Sequence, residues 1–292
     1  MSVSVSIDDS NSGGVLLYYD PLLLEDPSAD GVRTDVYIVL TTGHSKIVAP
    51  ENSYRLFAFE NLSQINFNGM LDTSQVGNMD SMFYSCSVTS LDLFGFKTAN
   101  VYNMMEMFAG CRNLTTLTLP DDFGAACSEM NDMFVNCSAL VTLDLSKMNT
   151  ESSDVLSYMF QGCTSLQNLT LPQSFGSNAY IMQAMFKDCT ALTELNLSNM
   201  DIRNLTNSLD GDGLQSMFSG CTGLQTIYVD PELWVVQDGV LGTDMFKDCT
   251  SLVGGSGTVY SADYVDSSYA RIDGGVEAPG YLTAAQGEPN GG

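Results

Sequence analysis

The sequence predicts an α/β solenoid, with a parallel β-sheet on one face, short helices on the other and a small β-rich module at the N-terminus. Three observations carry that expectation. First, Met-Phe-x-x-Cys occurs seven times, beginning at Met82, Met107, Met133, Met159, Met185, Met217 and Met245, with steps of 25, 26, 26, 26, 32 and 28 residues. Self-similarity at such a period means stacked units, because one unit alone cannot bury its apolar face. Second, most of the cysteines are followed by x-x-Leu-x-x-Leu-x-Leu, as in Cys111, Leu114, Leu117 and Leu119. The Leu-x-Leu alternation is that of a short strand with one face buried. Third, the apolar residues before each cysteine recur at three and four, as in Val76, Met79, Met82, Phe83 and Cys86. That spacing places them on one face of a helical turn.

The elements follow in order. The residues just before the cysteines are Ser85, Gly110, Asn136, Gly162, Asp188, Gly220 and Asp248. Gly, Asn and Asp tolerate the left-handed conformation that ends a helix, so each unit reads as short helix, left-handed stop, link and strand. Stacking puts equivalent strands side by side at about 4.8 Å, so about eight of them make a sheet on the order of 35 Å long. This is the plan of a leucine-rich-repeat solenoid. Ile65-Asn66-Phe67 and Leu91-Asp92-Leu93 are its first two strands, and Leu56-Phe57, with Glu60 in the cysteine position, is an atypical capping repeat. Two kinds of unit alternate, one reading Leu-Asp/Asn-Leu at 91, 143 and 195, the other Leu-Thr-Leu-Pro at 117 and 169. The period in the middle of the chain is therefore about 52 residues. The chain divides into residues 1–50, a β-rich cap or attachment module containing strand stretches Val3–Ile7 and Val36–Leu40; 51–253, the solenoid; and 254–292, a C-terminal cap with a flexible tail.

With its spacing set out, the pattern Met-x-x-Met-Phe-x-x-Cys-x-x-Leu-x-x-Leu-x-Leu resembles that of the BspA-like leucine-rich-repeat proteins. The likeness covers residues 54–283 and extends to the ending Ser251-Leu252-Val253-Gly254-Gly255, Tyr269-Ala270-Arg271-Ile272-Asp273-Gly274-Gly275 and Pro279-Gly280-Tyr281. The resemblance implies a leucine-rich-repeat fold and a bacterial surface protein, some relatives being implicated in adhesion to host proteins or other microbes. It supplies no ligand.

Charge and composition narrow the partners. With 35 acidic and 10 basic residues the net charge is −25, which disfavours nucleic acid and anionic membrane surfaces. No segment reaches the ~20 apolar residues that span a bilayer, so no membrane insertion is expected. Met1–Ile7 has neither the basic start nor the apolar core of a secretory signal. A surface protein would need such a signal to have been removed. A phage structural protein, released by lysis, would need none, and its residues 1–50 would dock into the virion or appendage.

Chemistry finds little purchase. His44 is the single histidine and lies in a turn outside the repeats. Seven of the eight cysteines occupy one repeat position, and Cys127 takes the core position of Val76 and Val101, six before the Met. All eight are expected to be reduced, buried and inert, with no metal site, since no Cys-x-x-Cys is present. Paired acids such as Asp121-Asp122 sit on a turn. No nucleophile elbow, phosphate loop or zinc-protease motif occurs, so no catalytic residue and no cofactor is expected. The longer repeat, with six extra residues between Leu197 and Met217, includes Asp210-Gly211-Asp212-Gly213. That run resembles half of a calcium loop but lacks the later ligands and closing glutamate, and reads as a solvated loop.

The remaining candidate is a binding face set by strand alternation: Ser90, Asp92, Thr116, Thr118, Thr142, Asp144, Asn168, Thr170, Glu194, Asn196, Thr226 and Tyr228, preceded by Gln64 and Asn66. It is polar and mildly acidic with one aromatic, Tyr228. The expected partner is a protein or glycan on a cell surface or within an assembly.

Overall fold

The computed structural model describes residues 6–7, 15–18, 37–38, 47–60, 62–65, 67, 71–207 and 213–285. The described chain is mostly β. Strands β1 (Ser6–Ile7), β2 (Val15–Tyr18) and β3 (Tyr37–Ile38) form an antiparallel sheet in the order β1-β2-β3. The repeats contribute β4 (Ile47–Val48), β5 (Leu71–Asp72), β6 (Ser90–Asp92), β7 (Thr116–Thr118), β8 (Thr142–Asp144), β9 (Asn168–Thr170), β10 (Glu194–Leu197) and β11 (Thr226–Val229); β12 (Leu282–Ala284) closes the C-terminal end. All of these pair in parallel. His44, Asn66 and Asp210–Asp212 lie outside the described residues. Ile65 and Phe67 are not in a strand, and Phe67 instead packs edge-on to Phe57 at 5.4 Å in the core.

The helices expected opposite the sheet are not formed. Two short 3-10 turns, Ser267–Tyr269 and Gly275–Glu277, are the helical elements among the described residues. The Met-Phe segments are chains of turns. In the first full repeat the N–H groups of Met82, Tyr84 and Cys86 close turns on the carbonyls of Met79, Ser81 and Phe83 at 3.1, 2.9 and 3.1 Å. The intervening N–H groups of Ser81, Phe83 and Ser85 cross to Met105, Met107 and Ala109 of the next repeat at 2.8, 2.9 and 2.7 Å. Left-handed backbone causes this. The expected residue before each cysteine has positive φ in all seven repeats, from 56° at Ser85 to 79° at Gly220. A second left-handed residue precedes each Met-Phe pair: Ser81, Glu106, Asp132, Tyr158, Ala184, Ser216 and Asp244. A right-handed helix cannot pass through two left-handed residues four positions apart. Turns of three residues repeat apolar positions at three and four as a helix does, which is why the pattern misleads.

In a β-strand, successive peptide dipoles alternate and largely cancel. Here every second peptide points the same way, N–H towards the C-terminal end of the stack. The last turn finds its acceptors in the C-terminal cap, where Phe246 N–H donates to Val265 O at 2.8 Å and Asp248 N–H to Tyr260 Oη at 3.1 Å.

The sheet is also not one continuous ladder. Its strands join as β4-β5, β6-β7, β8-β9 and β10-β11-β12. The grouping follows the 52-residue alternation. Where β6 meets β7 and β8 meets β9, the segment just past the strands is tied by buried threonines, Thr98 Oγ1 accepting from Gly124 N–H (3.4 Å) and Thr150 Oγ1 from Gly176 N–H (3.1 Å). Where β7 faces β8 and β9 faces β10, that segment is tied by backbone instead, Phe123 bridging Met148 and Phe175 bridging Met200. Pro120 and Pro172, between the Leu-Thr-Leu strands and these bridges, carry no N–H with which to extend the strand ladder. Two kinds of unit thus mean two kinds of joint.

The core runs the length of the repeats. Phe57, Phe83, Phe108, Phe134, Phe160, Phe186, Phe218 and Phe246 stack ring on ring at 5.3–5.9 Å with planes within 17° of parallel. Phe57, from the atypical first repeat, starts the row; Tyr281 ends it edge-on to Phe246 at 5.2 Å. The methionines of the Met-Phe pairs are equally buried.

Candidate binding surface

Strand alternation turns ten of the twelve candidate residues to solvent. Ser90, Asp92, Thr116, Thr118, Thr142, Asp144, Asn168, Thr170, Glu194 and Asn196 are exposed, while the leucines between them face inward. Thr226 and Tyr228 are half-buried. Gln64 is exposed. Register sets Ser90 beside Thr116 and Asp92 beside Thr118, then Thr142 beside Asn168 and Asp144 beside Thr170. Glu194 lies beside Thr226 and Asn196 beside Tyr228. Tyr228 is not the last residue of its row, because β12 sets Thr283 on its other side.

Three of these side chains have local work that the sequence pattern concealed. Asp92, Asp144 and Asn196 each accept, through Oδ1, the N–H of the residue two further on, Phe94, Ser146 and Ser198, at 2.9–3.0 Å. Asp or Asn at this position turns the chain out of the strand. The Leu-Asp/Asn-Leu signature is thereby explained by backbone geometry, without a ligand.

Sequence reasoning missed Phe94. Its ring is 65% exposed beside the sheet face, with Lys147 Nζ 5.5 Å from the ring centroid. Lys147 also pairs with Asp121 at 3.1 Å. The available signal was comparison between repeats, since the sister positions are Ser146 and Ser198. Among the described residues Phe94 and Tyr228 thus bring aromatic rings to this face, and Arg and aromatic residues dominate binding energy where interfaces form.

The cysteines are structural. All eight are free and buried. The seven motif thiols each donate to the carbonyl of the Met-Phe phenylalanine of the preceding repeat, or of its counterpart Phe57, at 2.6–3.2 Å. Burial pushes Cys86, Cys127, Cys163 and Cys249 up to about 12, and Cys137, Cys189 and Cys221 well above the ordinary thiol value. Thiolate is the reactive form, so labelling of the native protein near pH 8 should be negligible and become complete on unfolding. Rapid labelling of several among Cys111, Cys137, Cys163 and Cys189 without denaturant would show that the column is not closed. Among the described residues no group of three or more His, Cys, Asp or Glu is placed to hold a metal ion. No described helix is long and apolar enough to cross a membrane.

Beside the longer repeat, residues 203–207 and 237–240 flank a cleft of about 430 Å³. Its polar groups come from Arg203, Asn204, Thr206, Asn207, Gln237 and Asp238. Arg203 is held in a fork by Asp201, Nε to Oδ1 at 2.9 Å and Nη2 to Oδ2 at 2.6 Å, and the guanidinium hydrogen bonds keep the Asp201 carboxyl below its ordinary value. Asn207 pegs the two walls together. Its Nδ2 donates to Gly239 O at 2.5 Å, and its Oδ1 accepts Leu241 N–H at 2.9 Å.

Comparison with known proteins gives a family and a distant likeness among solved structures. A family model described as "Mycoplasma protein of unknown function, DUF285" matches residues 55–171 and 128–255, together 201 of the 292 residues. No curated protein matches the chain. Among solved structures, a leucine-rich repeat protein from Bacteroides ovatus ATCC 8483 is 18% identical, the match covering 75% of this chain and 70% of that one, with a TM-score of 0.32.

Proposed function

The chain belongs to the family described as "Mycoplasma protein of unknown function, DUF285", and from that premise we propose a non-enzymatic binding protein, a solenoid that presents its sheet face to a protein or glycan partner outside the cell. The observation that carries this reading is the double row from Ser90 to Tyr228, exposed as far as Asn196 and in register within each strand pair, backed by a buried core and flanked by Phe94. A face held rigid from behind loses little freedom when it binds. The net charge of −25 favours a neutral or basic partner over nucleic acid. Buried, protonated thiols give no support to nucleophilic chemistry.

The test is adhesion of the purified chain to intact cells or particles of its source, read beside Phe94→Ser/Tyr228→Thr. Truncating two aromatic anchors should weaken binding about 10–30-fold with the fold intact. Unchanged binding by that variant, together with loss on deleting residues 1–50, would move the contact to the N-terminal module and favour a structural role in a virion or appendage.

A further inference from the structure

We propose that the cleft between residues 203–207 and 237–240 is a second, separate site, built for the end of a neutral oligosaccharide. It does not rest on use of the sheet face. Four observations converge on it.

The first is shape. A ladder runs through Gly77, Tyr102, Ser128, Asp154, Tyr180 and Thr206, each N–H donating to the carbonyl one repeat earlier at 2.9–3.2 Å. Past Thr206 the Asn207 side chain bonds Gly239 O and Leu241 N–H, and beside it the walls part to leave about 430 Å³. That volume lies within the usual range for small-ligand sites. Second is chemistry. The lining side chains are amides, a hydroxyl, a carboxylate and a guanidinium; Arg203, Asn204, Asn207 and Gln237 already bond the protein, and the polar capacity they keep, with Thr206 and Asp238, suits hydroxyl groups better than an apolar ligand.

Third is charge. Asp201 already neutralises Arg203, so the remaining Asp238 and the acidic chain as a whole disfavour an anion. The ligand that remains is polar and uncharged. Fourth is a pair of exposed tyrosines on the ladder that leads to the cleft. Thr206 lines the cleft, and its N–H bonds the carbonyl of Tyr180 on the neighbouring repeat at 2.9 Å. Tyr180 is 39% exposed, and Tyr102, on the same ladder three repeats earlier, is 54% exposed. At about 4.8 Å per repeat the two tyrosines stand roughly 14 Å apart along the stack, which suits an extended chain entering the cleft by one end. Aromatic rings offer a flat apolar face to the C–H side of a sugar while the amides take its hydroxyls.

The experiment uses the full chain and hexaoses of four neutral kinds, cello-, xylo-, laminari- and N-acetylchito-, each titrated and followed by amide NMR shifts and calorimetry. The expected result is saturable binding of at least one, with shifts centred on residues 203–207 and 237–240. Tyr180→Ala and Asp238→Ala should each weaken it about tenfold or more, and Phe94→Ser/Tyr228→Thr should leave it unchanged. Binding that survives both Tyr180→Ala and Asp238→Ala, shifts confined to the sheet face, or no binding by any of the four would overturn the assignment. Retained amide dispersion in Tyr180→Ala and Asp238→Ala separates a lost site from a lost fold.

Discussion

Phe134→Ala should lower the unfolding free energy by about 3–5 kcal/mol, the largest single-residue effect expected in the chain. The ring is fully buried and stacks on Phe108 at 5.3 Å and Phe160 at 5.9 Å. Its loss removes the apolar area, leaves a cavity between two repeats and breaks an unbroken row of eight rings. Each lost ring pair adds about 0.5–1.5 kcal/mol beyond the area term. Because repeats touch only their neighbours, the gap falls mid-stack and weakens coupling between the two halves. Denaturant unfolding with intrinsic-tyrosine and circular-dichroism detection measures it. An unchanged midpoint would show that the ring row does not hold the stack together.

Asp273→Ala should come next, at about 3 kcal/mol or more. Asp273 is 5% exposed, and its carboxylate accepts Ser256 N–H at 2.8 Å, Thr258 N–H at 3.0 Å, Thr258 Oγ1 at 2.7 Å and Gly275 N–H at 2.9 Å. It ties the turn at 256–258 to the segment before β12. Alanine leaves all four donors without a partner. Burial alone would raise this carboxyl, but the bonds from Thr258, Gly275 and Ser256 outweigh it and hold the group at about 2, below its ordinary 3.8. A folded-state value below the unfolded one gives stability that is complete above the unfolded value and lost as pH falls through the folded one. The gap in melting temperature between wild type and Asp273→Ala should therefore be full at pH 6 and close as pH falls from about 3.8 towards about 2. A gap independent of pH would mean that the bonds do not favour the charged form.

The same segment shows how far sequence reaches. Gly254-Gly255 and Pro279-Gly280 stand out as an ending, yet the reason for Gly254 appears only in space: a Cβ there would lie 2.2 Å from Gly280 O and 2.7 Å from Asp273 Cβ. The column before the cysteines is similar. Its residues all take the left-handed conformation that Gly, Asn and Asp tolerate, and that much follows from residue type. Why Gly alternates with Ser, Asn or Asp does not. Cβ atoms on Gly110, Gly162 and Gly220 would fall 2.7, 2.4 and 2.1 Å from side-chain oxygens of Ser85, Asn136 and Asp188 one repeat earlier. A larger residue in one repeat requires glycine in the next.

By itself the sequence determined the repeat, its 52-residue double period, which residues are core, the free and buried state of the cysteines, and which side of Leu-x-Leu faces water. These depend on burial and on residue-intrinsic backbone preference, both of which are local and recur with the motif. Tertiary structure alone decided that the Met-Phe segments are turns and not helices. Spacings of three and four fit both, and the choice is made by hydrogen bonds to a neighbour about 26 residues away, as from Phe83 to Met107. It also decided that Asp92, Asp144 and Asn196 serve turns, that Phe94 joins the exposed face, and that a cleft opens beside Thr206. Each of these depends on what the adjacent repeat offers at one position, and a pattern read along a single chain does not carry that.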